Sequence, residues 1–143
     1  MQLHPVPIAL VVAAALPLCG GCGGSNYDVG YVTGTVTAKG KPLEDIIVKF
    51  YPDTLDTDAG PMSAGTTDAQ GRYKLSYKER RKPLQEGAVV GTHRVALADS
   101  RKLSAANPDR VPTRIHPGYR SQGTTPLRKD VVPGPQEIDI EIP

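Results

Sequence analysis

Five segments of this chain alternate apolar and polar residues with a period of two, and no stretch between them repeats at the 3.6-residue spacing of a helix. In YVTGTVT, Val32, Gly34 and Val36 fall on one side and Thr33, Thr35 and Thr37 on the other. IIVKFY sets Ile46, Val48 and Phe50 against Ile47, Lys49 and Tyr51, and RYKLSYK sets Tyr73, Leu75 and Tyr77 against Arg72, Lys74, Ser76 and Lys78. THRVALA opposes His93, Val95 and Leu97 to Arg94, Ala96 and Ala98, and QEIDIEI opposes Ile138, Ile140 and Ile142 to Glu137, Asp139 and Glu141. Successive side chains of a strand point to opposite faces, so each segment reads as a strand with one dry and one wet face. MSAGTTD (Met62 to Asp68) and TPLRKDVV (Thr125 to Val132) are weaker strands, and Pro126 argues for an edge position because it cannot donate to a ladder. Asp68-Ala69-Gln70-Gly71 and Pro133-Gly134-Pro135 both read as hairpin turns. The pattern predicts an all-β fold, a seven-stranded antiparallel β-sandwich without helices. Its expected core is Val32, Val36, Ile46, Val48, Phe50, Tyr73, Leu75, Val95, Leu97, Ile138 and Ile140.

Before the first strand lies PIALVVAAALPL, then LPLCGGCGGSN with both cysteines of the chain. From Val6 to Leu18 the apolar run has the length of a signal-peptide core and is too short to span a bilayer as a stable helix. The C-x-x-C spacing of Cys19 and Cys22 also suits a disulfide or half of a zinc site. Zinc would need two further ligands, and His93 and His116, the only downstream candidates, are each isolated; a redox dithiol would open a helix after a strand. A lipoprotein leader is cut before a cysteine that follows small residues, and Gly20 and Gly21 precede Cys22, whereas bulky Leu18 precedes Cys19. Cleavage between Gly21 and Cys22 with lipid on Cys22 is the expectation. An ordinary cleaved signal peptide is the competing reading, since MQLHPVP carries no Lys or Arg and Cys19 stands where Leu is commonest. The organisation expected is a leader over 1–21, a flexible tether over 22–30 and the sandwich over 31–143. Gly23 carries no Asp-type inner-membrane retention signal, which points to the outer membrane.

A chain from Cys22 to Pro143 can bury roughly two-thirds of its unfolded surface in one domain, without disulfide staples. Lys and Arg number 17 against 15 Asp and Glu, interleaved along the chain, so no nucleic-acid partner is expected. The one basic cluster, KERRK at Lys78 to Lys82, would suit phosphate, anionic lipid or lipopolysaccharide, but it lacks aromatics and reads as a solvated loop.

The order of motifs resembles the carboxypeptidase regulatory-like, transthyretin-related sandwich family, and in particular its small lipoproteins of planctomycete type. The matching positions are Gly34, Val36, Gly40, Lys41, Pro42 and Leu43; Phe50 and Pro52; Thr67, Asp68, Gly71 and Tyr73; Gly91, His93 and Val95; and Thr124 to Leu127. The resemblance covers nearly the whole chain after the leader. All of these positions have structural roles to play at turns or in strands.

That fold also includes the hydroxyisourate hydrolases, which use histidines, an arginine and a C-terminal Tyr-Arg-Gly-Ser. GYRSQG at Gly118 to Gly123 resembles that tail, but it precedes the last two strands, has Ser121 in place of Gly, and no first-strand histidine joins it. His93 is in phase with Val95 and Leu97 and reads as a half-buried histidine held by backbone at the core rim, while His116 belongs to the Pro-rich loop VPTRIHPGY and should be exposed. Asp53, Asp56 and Asp58 offer oxygen to calcium, but their spacing is not that of a calcium loop and a solvated turn is expected. An isopeptide bond would need core-facing Asn or Asp beside Lys; Asn26 and Asn107 belong to loops. No metal or cofactor is expected.

These readings combine into a lipid-anchored exported β-sandwich with a non-catalytic binding or structural role at the cell envelope. Its partners would be the membrane, through the N-terminal lipid, and an envelope protein or glycan. The alternatives are a transthyretin-related hydrolase using His93, Tyr119 and Arg120, and a carbohydrate-binding module, the latter weakened by the absence of Trp.

Overall fold

A computed structural model describes residues 26–54 and 59–143. The leader, Cys19, Gly21, Cys22, Asp56 and Asp58 lie outside the described residues. Among the described residues twelve short strands, where seven were expected, form two six-stranded sheets facing each other across one core, an all-β, sandwich-like arrangement. They are β1 (Val29–Ala38), β2 (Lys41–Pro42), β3 (Ile46–Pro52), β4 (Ser63–Thr66), β5 (Arg72–Lys74), β6 (Ser76–Lys78), β7 (Leu84–Glu86), β8 (Ala88–Val89), β9 (Gly91–Asp99), β10 (Arg128–Val131), β11 (Gly134–Glu137) and β12 (Ile140–Ile142). β1 begins two residues before the expected boundary at 31.

The first sheet is organised around β1. One of its edges pairs antiparallel with β8, β5 and β2 in succession, and the other pairs parallel with β11 and then β12. The expected strand QEIDIEI is therefore interrupted and runs parallel to β1, which departs from the antiparallel expectation. At the break the Ile138 amide bonds the Thr33 carbonyl (2.8 Å), and the Asp139 carboxylate takes the Thr35 amide (2.8 Å) and hydroxyl (2.9 Å) in place of ladder partners. A side chain at Gly34 would collide with the Ile138 carbonyl, so only glycine admits this close approach.

The second sheet runs β10-β9-β3-β4-β6-β7, antiparallel throughout. β10 occupies its edge, as Pro126 suggests. RYKLSYK, expected to be one strand, divides at Leu75: β5 pairs with β1 in the first sheet, while β6 pairs with β4 and β7 in the second. Alternation survives this change of sheet, and Tyr73, Leu75 and Tyr77 are all buried.

Turns behave unequally. Asp68 closes its hairpin as expected, its carboxylate taking the Gln70 and Arg72 amides at 2.9 Å each, with Gly71 left-handed (φ +75°). Pro133-Gly134 is not a hairpin turn but the link from β10 in one sheet to β11 in the other. Two motif threonines are structural clamps: Thr67 bridges the Ile46 amide (2.9 Å) and the Leu43 carbonyl (2.6 Å), and Thr125 donates to the Val95 carbonyl (2.6 Å).

The predicted core forms one cluster, with Ile138 at its margin; Ala88, Ile115, Val131 and Ile142 join it. Helix is present where none was expected: α1 (Ser100–Ser104) and single 3-10 turns at Pro108–Arg110 and Pro117–Tyr119. Each is too short to show a helical period. No helix among the described residues is long and apolar enough to cross a membrane.

Candidate functional site

β9 ends at Asp99, where the chain turns into α1, and the Asp99 carboxylate accepts the Arg101 amide (3.1 Å) as the N-cap of that turn. The same carboxylate takes Arg114 in a bidentate grip, Nε on Oδ2 at 2.7 Å and Nη2 on Oδ1 at 2.8 Å, and Arg101 through two contacts of 3.1 Å. Its side chain is only 3% exposed. Burial alone pushes the Asp99 carboxyl up, but hydrogen bonds and charge from Arg114 and Arg101 outweigh it and hold the group well below the usual carboxylate range.

Arg114 thereby ties the segment after α1 down beside the second sheet. Arg120 braces the segment from within, since its Nε (3.0 Å) and Nη2 (2.8 Å) both donate to the Ile115 carbonyl five residues before it. Between this segment, α1 and the sheet lies a cavity of about 310 Å³. Lys49, Lys102, Arg114 and Arg120 line it with positive charge and Asp99 with negative, and Ala98, Leu103 and Ile115 supply apolar wall. Room for it arises on β3 and β9: Lys49 is flanked across the ladders by Ala64 and Ala96, so no bulky neighbour fills the face.

The residues singled out as possible catalysts are not gathered here. His93 is fully enclosed, deeper than the half-buried rim position expected, because β10 covers β9 from the edge and the Phe50 ring packs 5.6 Å away. Its Nε2 donates to the Val89 carbonyl (2.7 Å), the backbone satisfaction foreseen for it, while Nδ1 has no partner. His116, exposed as expected, caps the following 3-10 turn through Nδ1 and the Gly118 amide (3.1 Å) and meets the Tyr119 ring edge-on at 6.4 Å. Among the described residues no hydrogen bond joins His93 to Tyr119 or Arg120.

Asp53, considered for calcium, directs its carboxylate to Arg94 (2.8 Å) and Arg128 (3.5 Å). Two arginines neutralise it, and no group of three or more potential metal ligands occurs among the described residues. The KERRK loop is not uniformly solvated: Glu79 is buried and pairs with Lys82 at 2.7 Å, leaving Lys78, Arg80 and Arg81 exposed. Asn26 and Asn107 are exposed in loops.

In the 101–120 stretch the sequence draws attention to His116, Tyr119 and Arg120 singly, although Arg101, Lys102, Arg110, Arg114 and Arg120 also stand there together against the single acid Asp109. That imbalance was the available signal. Lys49 gave none, since a lysine on the wet face of a strand is ordinary.

Burial holds the His93 imidazole below its ordinary value near 6.5, against smaller opposing effects of the Val89 and Phe50 carbonyls and the Asp130 charge. The unfolded chain therefore takes up this proton at higher pH than the folded one, so the stability tied to neutral His93 is complete above about pH 6.5 and is lost as pH falls. Urea midpoints should decline on acidification through this range. His93→Gln should flatten that part of the profile, and an unchanged slope in the variant would refute the assignment.

No protein-family model matches the chain, and no curated protein does. Among solved structures it is similar to the crystal structure of a DUF3823 family protein from Parabacteroides merdae, at 13% identity and a TM-score of 0.44, over 81% of this chain and 46% of that one. The chain spans less than half the length of that protein.

Proposed function

We propose that the chain is an exported lipoprotein, anchored through lipid on Cys22, whose sandwich-like domain is of carboxypeptidase regulatory-like or transthyretin-related type and has a non-catalytic binding or structural role at the cell envelope, on the outer membrane. The observation that carries the reading is Gly20-Gly21-Cys22 directly after the apolar run, seven residues ahead of β1. Extended chain spans at most ~3.6 Å per residue, so those seven residues would hold the domain within about 25 Å of the lipid. The placing of the groups that hydrolysis would need supports the non-catalytic reading: His93 is enclosed in the core and bonded to Val89, and among the described residues no hydrogen bond joins it to Tyr119 or Arg120. The partner is an envelope protein or glycan, met by a loop end or edge strand as is usual for a rigid sandwich.

Metabolic labelling with an alkyne fatty acid tests the anchor. Wild type and Cys19→Ser should be labelled and processed, whereas Cys22→Ser should remain an unlabelled precursor. Each buried methylene contributes roughly 0.8 kcal/mol, so two or three chains make attachment effectively permanent and the mutant should lose it entirely. Label persisting in Cys22→Ser, or absent from wild type, would leave a plainly secreted domain.

A further inference from the structure

We propose that the groove between α1, the Arg114–Arg120 segment and the second sheet binds a small phosphomonoester carrying a short apolar body. Four cations line the groove against one carboxylate, and that carboxylate is already committed to Arg114 and Arg101. Among the described residues neither Lys49 nor Lys102 has an ion-pair partner, although every other charge in the groove is held by the protein. Positive charge gathered without counter-charge in a concave site is repulsive when empty and is relieved by an anion.

The arginines are also prepared for one. Each has its Nε–Nη2 edge fixed by a protein acceptor, Asp99 for Arg114 and the Ile115 carbonyl for Arg120, while Nη1 on both has no acceptor among the described residues. A guanidinium locked in plane loses little further rotamer freedom on binding, so its remaining donors act at low entropic cost. A phosphomonoester, with up to two charges and three terminal oxygens, answers several converging donors better than a carboxylate with one charge and two.

Apolar surface adjoins the cations. Leu103 is 69% exposed at the groove, and Ala98 and the buried Ile115 form its wall. At about 310 Å³ the cavity is at the small end of ligand pockets, too small for a polymer and sufficient for a phosphate with a short hydrophobic group. A lipid headgroup and a soluble phosphate ester share this chemistry. The inference rests on the groove and not on the anchor, so failure of fatty-acid labelling and failure of binding are separate results.

Isothermal titration of the full chain in non-ionic detergent, with phenyl phosphate, inorganic phosphate, phenol and dihexanoyl phosphatidic acid below its micelle concentration, tests it. Phenyl phosphate should bind saturably and more tightly than inorganic phosphate or phenol. Lys49→Gln/Lys102→Gln should weaken it by roughly tenfold or more, as expected when two groove charges are lost. Leu103→Ser should reduce affinity for phenyl phosphate and leave that for inorganic phosphate unchanged. Urea midpoints for both variants, expected to match wild type, confirm that the fold is intact. Preference for phosphatidic acid would assign the headgroup of a lipid, and preference for phenyl phosphate a soluble ester; either upholds the site. No saturable binding up to about 10 mM, or affinity unchanged in the double lysine variant, would overturn it. Equal affinity for phenyl and inorganic phosphate would overturn the apolar body of the ligand.

Discussion

Phe50→Ala should destabilise the fold by about 3–5 kcal/mol in urea or thermal unfolding, the range for truncating an enclosed aromatic ring. Phe50 is 0% exposed in the middle of the second sheet, with Val95 on one side of the β3 ladder and Ser63 on the other. It is the only phenylalanine of the chain, so no second ring of its kind can move into the void. Strands on both sides hold the surrounding backbone by ladder hydrogen bonds, which limits collapse into the cavity and favours the upper part of the range. His93 adds a further cost, since its ring packs on Phe50 and would lose that contact. Phe50→Leu should recover much of the loss by refilling most of the volume. A loss under about 1 kcal/mol for the alanine variant would mean that the two sheets do not share this core.

Arg114→Ala should cost about 2–3 kcal/mol, because it leaves a nearly buried carboxylate with only Arg101, whose side chain is 42% exposed, as partner. Arg114→Lys should not restore the loss, since an ammonium cannot reproduce the bidentate grip. The pH dependence carries a definite sign. Asp99 is held ionised in the folded protein below the value of the unfolded chain, near 3.8, so its contribution is complete above that value and disappears as pH falls through the depressed folded one. In Arg114→Ala the folded value rises toward the unfolded one and less remains to be lost. The stability gap between wild type and variant should therefore narrow on acidification below about pH 4, followed by urea midpoints across pH. A gap that stays constant would assign the Arg114 effect to packing of its stem instead of to the ion pair.

Period two in the sequence determined which side chains face inward, because alternation along a strand is a local consequence of backbone geometry. Val32, Val36, Ile46, Val48, Phe50, Tyr73, Leu75, Val95, Leu97 and Ile140 are buried on that ground alone, and the Asp68–Gly71 turn closes because its own side chain and its glycine suffice. Alternation says nothing of which strand lies alongside. That is why RYKLSYK, continuous in pattern, divides between two sheets at Leu75, and why Pro133-Gly134 connects sheets instead of closing a hairpin. Pairing is decided by backbone hydrogen bonds between distant residues and by contacts such as Gly34 against the Ile138 carbonyl, which exist only once both strands are in place. The groove shows the same division. Lys49, Lys102, Arg114 and Arg120 are ordinary wet-face or loop cations in the sequence, and they meet only because β3 pairs with β9, β9 ends in α1, and Asp99 anchors the segment that follows. Charge types can be read from a sequence, but their convergence is a property of long-range packing, and it was the tertiary structure that decided it.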